Sequence, residues 1–269
     1  MGTPMGTLMN WQSIDITMHE RVATVTLDRP AVRNAFNEAT IAELTLAFDE
    51  LGRDDDVRTI ILAANGSAFC AGADLHWMKQ MAGYSDAENL ADATRLATML
   101  RTIYLCPTPV VAKVQGDCYA GGMGLVAACD IAVVADGASF CLSEVKLGLT
   151  PATISPYVIK AMGEAAARRY FLTAERFSAH EAHRIGFVHE VVAPDDLDAT
   201  VAALVKALGV NSPNAVKQAK VLVREMAGRP LNAALLADSA QRIAAIRASS
   251  EGREGVAAFL DKRAPSWLD

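Results

Sequence analysis

Glu144 is the residue of this sequence whose surroundings point most directly to chemistry. It lies among apolar neighbours within residues 116–149, a stretch predicted to contain an apolar helix, a buried strand and a second short strand. A carboxylate in such a setting costs free energy to ionise unless a partner or a substrate satisfies it. Partial burial also raises the pKa of a carboxyl group, so that it exchanges protons more easily near neutral pH. Glu144 is therefore a candidate acid or base, and the alternative is a solvated or capped glutamate at the end of a strand.

Two turns made of small residues offer a second kind of chemical group, the backbone N–H donor. One is FCAGADL at residues 69–75, and the other is Ala120-Gly121-Gly122, which precedes an apolar helix. Such turns bring bare backbone close to a ligand. Two N–H groups that converge on one oxygen stabilise the negative charge it gains, by about 3 kcal/mol per donor in characterised enzymes. Taken alone, each motif is better explained as an ordinary tight turn.

Composition limits the class of protein. The chain has 269 residues, 52% of them hydrophobic and 21% charged, which is typical of a folded globular protein. Its net charge of −6 argues against nucleic acid as a main partner, and no run reaches the length of a membrane span. Residues 1–10 have no signal-peptide pattern and are interpreted as a loose leader. The five cysteines lack CxxC spacing, which indicates reduced thiols, no metal site and a cytoplasmic location.

The pattern of apolar residues predicts an α/β protein. Residues 14–27 alternate as a β-hairpin does, and residues 37–53 show the three- and four-residue spacing of an amphipathic helix. Residues 59–63 and 110–114 are short, β-branched and apolar, as expected for strands of a parallel sheet covered by helices. Further helices are predicted over residues 85–104, 155–162 and 178–186, and a last strand over residues 187–192.

The C-terminal part of the chain is predicted to be helical throughout. From residue 194 the sequence is rich in Ala, Leu and Val and has no strand signal, with helices expected over residues 195–208, 212–226, 231–249 and 251–262. We therefore expect three regions: the leader at residues 1–10, an α/β core with the active site at residues 11–194, and a helical region at residues 195–269.

Several ordered motifs together resemble the enoyl-CoA hydratase/isomerase family, also called the crotonase superfamily. They are DRPxxRNAF at residues 28–36, CAGADL at 70–75, AGGxGLxxxCD at 120–130, SEVKLGLTP at 143–151 and FLDKRAP at 259–265. The resemblance covers nearly the whole chain. It implies a spiral of ββα turns followed by a C-terminal helical trimerisation region, assembled as a homotrimer or a dimer of trimers.

The resemblance also implies roles for individual residues. The family's oxyanion hole falls on the N–H groups of Ala73 and Gly121, and Glu144 matches its second catalytic carboxylate. Residues implied to bind the substrate or its coenzyme A part are Arg29, Arg33, Ala35, Ala71, Asp74, Leu75, Phe259 and Lys262. Coenzyme A would arrive with the substrate, and no resident cofactor is implied.

Two departures from the family pattern bear on the reaction. Gly124 stands where many hydratases of the family carry a first catalytic glutamate, so a mechanism with two carboxylates at those positions is excluded. Asp117 is a candidate helper by proximity in sequence only. Residues 153–157 replace a glycine-rich turn with bulkier residues, which would reshape the acyl pocket. The combination resembles bacterial hydratases of branched glutaconyl-type thioesters, such as 3-methylglutaconyl-CoA or isohexenylglutaconyl-CoA.

Three functional hypotheses remain open from the sequence. The first is an enoyl-CoA hydratase of fatty acid or branched-chain amino acid catabolism that uses Glu144 as its single acid and base. The second keeps the fold but shifts the double bond, because one carboxylate is enough to carry a proton between C2 and C4. The third is a scaffold or acyl-CoA-binding protein that lost catalysis together with the first glutamate.

Overall fold

The computed structural model describes residues 11–268, which form two compact units. The first unit extends to Ala203, and the second begins at Leu204. The leader predicted at residues 1–10 lies outside the described residues. The proposed boundary at residues 194/195 stays a prediction.

The described residues contain ten strands and ten α-helices. The strands are β1 (Ile14–His19), β2 (Val22–Leu27), β3 (Thr59–Ala64), β4 (Ala68–Cys70), β5 (Val110–Val114), β6 (Asp117–Tyr119), β7 (Ile131–Ala135), β8 (Ser139–Cys141), β9 (Phe177–Ser178) and β10 (Glu190–Val192). The helices are α1 (Glu38–Arg53), α2 (Leu75–Met81), α3 (Asp86–Leu105), α4 (Gly121–Ala128), α5 (Ser155–Thr173), α6 (Ala179–Arg184), α7 (Leu197–Gly209), α8 (Pro213–Met226), α9 (Ala233–Ala248) and α10 (Ser250–Leu260).

The larger sheet confirms the strands predicted from the apolar runs. Its order is β1-β2-β3-β5-β7-β10, with an antiparallel hairpin between β1 and β2 and parallel pairing elsewhere. Residues of β3 and β5 are buried on both faces, which explains why these strands are apolar without alternation. Only the last predicted strand is shorter than expected, since it begins at Glu190.

The pairing of a second, smaller sheet was not predicted from the sequence, although one of its strands, β8, matches the second short strand expected within residues 116–149. Its order is β4-β6-β8-β9, and the first three strands run parallel to one another. Each strand has only two or three residues, too few for a periodic signal. Its inner face is aromatic: the rings of Phe140 and Phe177 stack with centroids 5.6 Å apart.

The two sheets alternate along the chain and produce the expected spiral. A strand of the larger sheet is followed by a strand of the smaller sheet and then by helix, in the units β3-β4-α2, β5-β6-α4 and β7-β8-α5. The ββα spiral with a helical C-terminal region is thus the observed fold class. Helix α5 runs further than predicted, although Gly163 interrupts it with φ 77° and ψ 158°.

Asn34 joins the DRPxxRNAF loop to the turn between β3 and β4. Its amide nitrogen donates to the carbonyl oxygens of Asn65 (2.7 Å) and Ala68 (2.9 Å), and its amide oxygen accepts from the N–H of Arg29 (2.8 Å). The residue is buried and has a φ of 53°, a left-handed conformation that asparagine tolerates. These three bonds explain why the motif requires an asparagine here.

The chemical state of the cysteines follows from their packing. All five are free thiols, and four of them are buried. Burial raises the pKa of Cys70 to about 12, so this thiol stays protonated and unreactive. Among the described residues no helix is both long and apolar enough to cross a membrane.

We predict that Asn34→Gly lowers the free energy of unfolding by roughly 2–4 kcal/mol, because three hydrogen bonds between the Asn34 side chain and the backbone are lost while glycine keeps the positive φ accessible. Urea denaturation measures this change. Glu20→Gly is the matched control, since Glu20 has the same φ of 53° but is exposed in the hairpin turn. Equal stability changes in the two variants would contradict the role given to the Asn34 amide.

Candidate active site

Three neighbouring parallel strands bring the predicted catalytic groups to one edge of the smaller sheet. Ala73 comes three residues after the end of β4, Gly121 two residues after β6, and Glu144 three residues after β8. The carboxyl ends of parallel strands meet at the same edge of a sheet, which is where α/β proteins place their ligands. The topology therefore gathers residues that are 71 positions apart in the sequence, from Ala73 to Glu144.

The N–H of Ala73 is directed by a short parallel bridge to Phe36. The N–H of Phe36 donates to Gly72 O (2.8 Å), and the N–H of Asp74 donates to Phe36 O (3.0 Å). In such a bridge the polar groups of the middle residue face away from the partner strand. No described residue accepts a hydrogen bond from the Ala73 N–H. This donor is therefore available to a ligand.

Gly121 is the first residue of α4, where backbone N–H groups have no partner within the helix. The preceding residue, Ala120, has a strained φ of 48°, held by its N–H bond to Cys141 O at 2.8 Å. No described acceptor faces the Gly121 N–H. A Cβ at Gly121 would lie 2.3 Å from Cζ of Phe36, so only glycine fits above this ring.

The two turns touch each other at Gly72. A Cβ added there would lie 2.9 Å from Cβ of Ala120 and 3.8 Å from the backbone nitrogen of Gly121. Gly72 also has a φ of 91°, which strongly favours glycine. The close approach of these backbones places the free donors of Ala73 and Gly121 in one region, an arrangement suited to an oxygen that gains negative charge.

Glu144 begins a short 3-10 helix, residues Glu144–Leu147, and is half-buried. Its Oε2 atom is buried and has no hydrogen-bond partner among the described residues. Burial raises the pKa of this carboxyl group, and a hydrogen bond from its own backbone N–H opposes the rise only in part. An unsatisfied buried carboxylate oxygen needs an explanation, and a proton-transfer role supplies one.

The space beside Gly124 is occupied by Ile154. A Cβ at position 124 would lie 2.4 Å from Cγ2 of Ile154, 2.9 Å from its Cβ and 3.4 Å from Cδ2 of Leu100. Gly124, Ile154 and Leu100 are all buried. The glycine at position 124 and the bulky segment at residues 153–157 therefore belong to one packing arrangement. A glutamate at position 124 would not fit against Ile154.

Asp117, the candidate helper, is already committed to other partners. Its carboxylate pairs with Arg33 at 2.8 Å and accepts from the hydroxyl of Ser139 at 2.7 Å. Burial alone would raise its pKa, but the bonds from Ser139 and the charge of Arg33 lower it overall. A carboxylate held ionised in this way is a poor proton carrier near neutral pH.

Several residues predicted to bind the substrate or its coenzyme A part also hold the site together, and their binding of the substrate stays a prediction. Arg29 pairs with Asp74 at 2.8 Å and donates to the carbonyl of Ala35, and Ala71 donates to the carbonyl of Arg33 at 3.0 Å. Asp74 caps α2 through His76, and these bonds lower its pKa although burial acts to raise it.

Of the remaining predicted residues, Leu75 is exposed at the start of α2, in the first unit. Phe259 is exposed on α10, and Lys262 follows that helix with a φ of 58°. Both lie in the second unit. Their contacts with coenzyme A stay a prediction.

Two supporting residues were missed by the sequence analysis. Phe36 lies under Gly121 and contacts the ring of Trp77, with centroids 6.1 Å apart, but in the sequence it reads as an ordinary apolar residue of the motif. Ile154 belongs to the bulky segment at residues 153–157, and the coincidence of that segment with a glycine at position 124 was the available signal. Among the described residues no group of three or more His, Cys, Asp or Glu side chains is arranged to hold a metal ion.

Comparison with known proteins places this geometry in context. Residues 17–269 match the model of a family described as enoyl-CoA hydratase/isomerase. A putative enoyl-CoA hydratase from Thermus thermophilus is 33% identical over 91% of this chain and 97% of its own length. A 2,3-dehydroadipyl-CoA hydratase from Escherichia coli is 32% identical over 94% and 97%. The crystal structure of an enoyl-CoA hydratase from Shewanella pealeana superimposes with a TM-score of 0.93 at 42% identity, covering 96% of this chain and 97% of that one.

We predict that Gly124→Ala lowers the free energy of unfolding by roughly 1–3 kcal/mol, because the added methyl group overpacks against Ile154. The cost should become smaller when residue 154 is glycine, which a double-mutant cycle with Ile154→Gly measures by chemical denaturation. Gly137→Ala is the control, since a Cβ there meets no atom within 4 Å. An equal cost of Gly124→Ala in both backgrounds would contradict the contact.

Proposed function

Since this chain belongs to the enoyl-CoA hydratase/isomerase family, we propose that it hydrates an α,β-unsaturated acyl-CoA with Glu144 as its single acid and base. The observation that carries the proposal is the buried, unpartnered Oε2 of Glu144, at the sheet edge that also holds the free N–H groups of Ala73 and Gly121. These are the groups that addition to an unsaturated thioester requires.

The two N–H donors act on the thioester carbonyl. When water adds at C3, negative charge moves through C2 to the carbonyl oxygen. The donors of Ala73 and Gly121 are already in place for this charge, so their alignment costs no reorganisation during the reaction. The N-terminal end of α4 adds a favourable dipole at the Gly121 side.

Glu144 moves the proton. Its ionised carboxylate takes a proton from water as the hydroxyl group bonds to C3, and the protonated carboxyl then returns a proton to C2. The sum is one water added across one double bond, which balances without a resident cofactor. A pKa raised by burial suits both halves of this cycle.

A second candidate, double-bond isomerisation, is favoured by one specific observation. Ile154 excludes a second carboxylate at position 124, and a single proton carrier is sufficient to move hydrogen between C2 and C4. The position of the double bond in the product separates the two reactions, because isomerisation adds no oxygen.

For the acyl group we propose a branched glutaconyl-type thioester such as 3-methylglutaconyl-CoA. The similar 2,3-dehydroadipyl-CoA hydratase acts, by its name, on another dicarboxylic acyl group, which supports an acid function at the far end of the substrate. The residues proposed to bind coenzyme A are those of the DRPxxRNAF and CAGADL segments, together with Phe259 and Lys262.

We also propose a homotrimer or dimer of trimers in the cytoplasm. Helices α8 and α9 contain no buried residue, and large apolar side chains of the second unit are exposed, among them Val223, Leu236 and Leu260. Exposed apolar surface of this kind indicates an interaction site. The five free thiols support a reducing compartment.

The proposed activity is tested by following the absorbance of crotonyl-, 3-methylcrotonyl- and 3-methylglutaconyl-CoA in water with purified protein. We expect the absorbance of the conjugated double bond to fall, with 3-methylglutaconyl-CoA the preferred substrate. Lack of hydration of all three thioesters would refute the hydratase. A product with a shifted double bond and no added oxygen would instead select the isomerase.

Glu144→Gln should reduce the rate of hydration by roughly 10²–10⁴-fold, because the proton carrier is lost. The same variant should be more stable than the wild type at pH 7. The folded chain holds the Glu144 proton to higher pH than the unfolded chain, so wild-type stability falls as the pH rises from about 4.3 through the raised pKa. Activity assays measure the loss of rate, and urea denaturation between about pH 3.5 and about pH 8 measures the change in stability.

The stability advantage of Glu144→Gln should disappear below roughly pH 4, where the carboxyl is protonated in both states. Glu164→Gln is the control, because Glu164 is an exposed partner of Arg168 and should change stability by less than about 0.5 kcal/mol. Unchanged activity in Glu144→Gln would favour an acyl-CoA-binding protein without catalysis.

The assembly is tested by light scattering coupled to size-exclusion chromatography. We expect the wild type to have the mass of three or six chains, and the double variant Val223→Glu/Leu236→Glu to have a lower mass because charge opposes burial of the apolar surface. Leu172→Glu, an exposed leucine of the first unit, is the control and should leave the mass unchanged. A monomeric wild type would contradict the assembly.

A further inference from the structure

Arg176 lies beside the sheet edge that carries the catalytic groups. Strands β8 and β9 are antiparallel, with Ser139 opposite Ser178 and Phe140 opposite Phe177. Continuing this register by one residue places Arg176 opposite Cys141, the last residue of β8 and only three residues before Glu144. Tyr119, the last residue of β6, lies opposite Cys141 on its other side. Tyr119, Cys141 and Arg176 therefore form one row on one face of the smaller sheet.

Two guanidinium groups lie over the ring of Tyr119. Cζ of Arg176 is 5.1 Å from the ring centroid, and Cζ of Arg33 is 5.9 Å from it. The hydroxyl group of Tyr119 is in turn hydrogen-bonded to that of Ser139 at 2.8 Å. Cation–π contact with a fixed ring limits the positions that the long arginine side chain adopts.

The charges of the two arginines are balanced differently. Arg33 pairs with Asp117 at 2.8 Å. Arg176 is exposed, and none of the carboxylates in residues 11–268 pairs with it. By comparison, Arg169 has a similar place over Tyr170, at 5.3 Å, but is neutralised by Glu175. Arg176 is thus a positioned guanidinium without a counter-charge.

The pKa of the Cys141 thiol is affected both by the charge of Arg176 and by the charge of Glu144. Burial raises its pKa, the positive charges of Lys146 and Arg176 act to lower it, and the charge of Glu144 acts to raise it. Arg176 and Glu144 are therefore both within electrostatic reach of the same residue.

We propose that Arg176 binds an anionic group of the acyl-CoA substrate, a carboxylate or a phosphate, with its guanidinium held over Tyr119 beside Arg33. A planar guanidinium donates two parallel hydrogen bonds to either group. The assignment rests on the proposed function, because it takes an acyl-CoA as the ligand. A distal carboxylate of the acyl chain and a phosphate of coenzyme A are the two sources of this chemistry.

Binding of two saturated thioesters, acetyl-CoA and glutaryl-CoA, tests the assignment without depending on turnover. Both carry the phosphates of coenzyme A, but only glutaryl-CoA has a distal carboxylate. Calorimetric titration of wild type and Arg176→Gln is expected to show about ten- to hundred-fold weaker binding in the variant, from the loss of one charge-assisted contact. Arg176→Lys should retain part of the affinity, since it keeps the charge but not the planar fork.

The pattern of losses identifies the group that is bound. Equal weakening for both thioesters assigns Arg176 to a phosphate, and weakening for glutaryl-CoA alone assigns it to the distal carboxylate. Arg169→Gln is the matched control and should leave both affinities unchanged, and thermal unfolding checks that each variant is folded. Wild-type affinities in Arg176→Gln would overturn the assignment alone, whereas a wild type that binds neither thioester would overturn the proposed function and this assignment with it.

Discussion

The close approach of two backbone turns at Gly72 is the constraint on which the rest of the site depends. With a φ of 91° and only 2.9 Å between its absent Cβ and the Cβ of Ala120, Gly72 lets the chain after β4 lie directly against the chain after β6. Phe36 supports both turns, through its bridge to Ala73 and through its ring beneath Gly121. Asn34 and the Arg29–Asp74 ion pair then tie the loop that carries Phe36 to the same region. The unpartnered N–H groups of Ala73 and Gly121 are thereby held close together by the fold, so that no free energy is needed to align them during the reaction.

The isolated carboxylate of Glu144 makes the folded state less stable. Its buried Oε2 has no partner, so the folded state is less stable with the carboxylate ionised than it would be with a neutral isostere. Hydrogen-bond donors or a salt bridge would remove this cost but would also lower the pKa. At Asp117 burial acts to raise the pKa, but the bonds from Ser139 and the charge of Arg33 lower it overall. The difference between these two carboxylates, one isolated and one paired, is what separates a proton carrier from a structural anion.

Much of the fold was predictable from the sequence, and the parts that were not have physical reasons. The hairpin, β3, β5, α1 and the C-terminal helices have strong periodic signals, and their ends were predicted to within two residues. The pairing of the smaller sheet was missed because strands of two or three residues, such as β4 and β6, carry no period. Phe36 and Arg176 were given no role, because their contacts come from distant parts of the sequence: Phe36 is 85 positions from Gly121, and Arg176 is 57 from Tyr119. Ile154 was expected only to reshape the acyl pocket, because its contact with the space beside Gly124 is formed by the fold.

The sequence by itself determined the strands of the larger sheet, the helices and the ordered motifs, because these depend on residue type and local spacing. Through those motifs it also determined the family resemblance, which implied the ββα spiral and the roles of Ala73, Gly121 and Glu144. Only the tertiary structure decided that the three groups share one sheet edge, that Asp117 is already paired, that Ile154 occupies the space beside Gly124, and that Arg176 lies over Tyr119 without a counter-charge. Those facts arise from contacts between distant segments, and a linear pattern of residues does not encode how much space or charge is left when such segments meet.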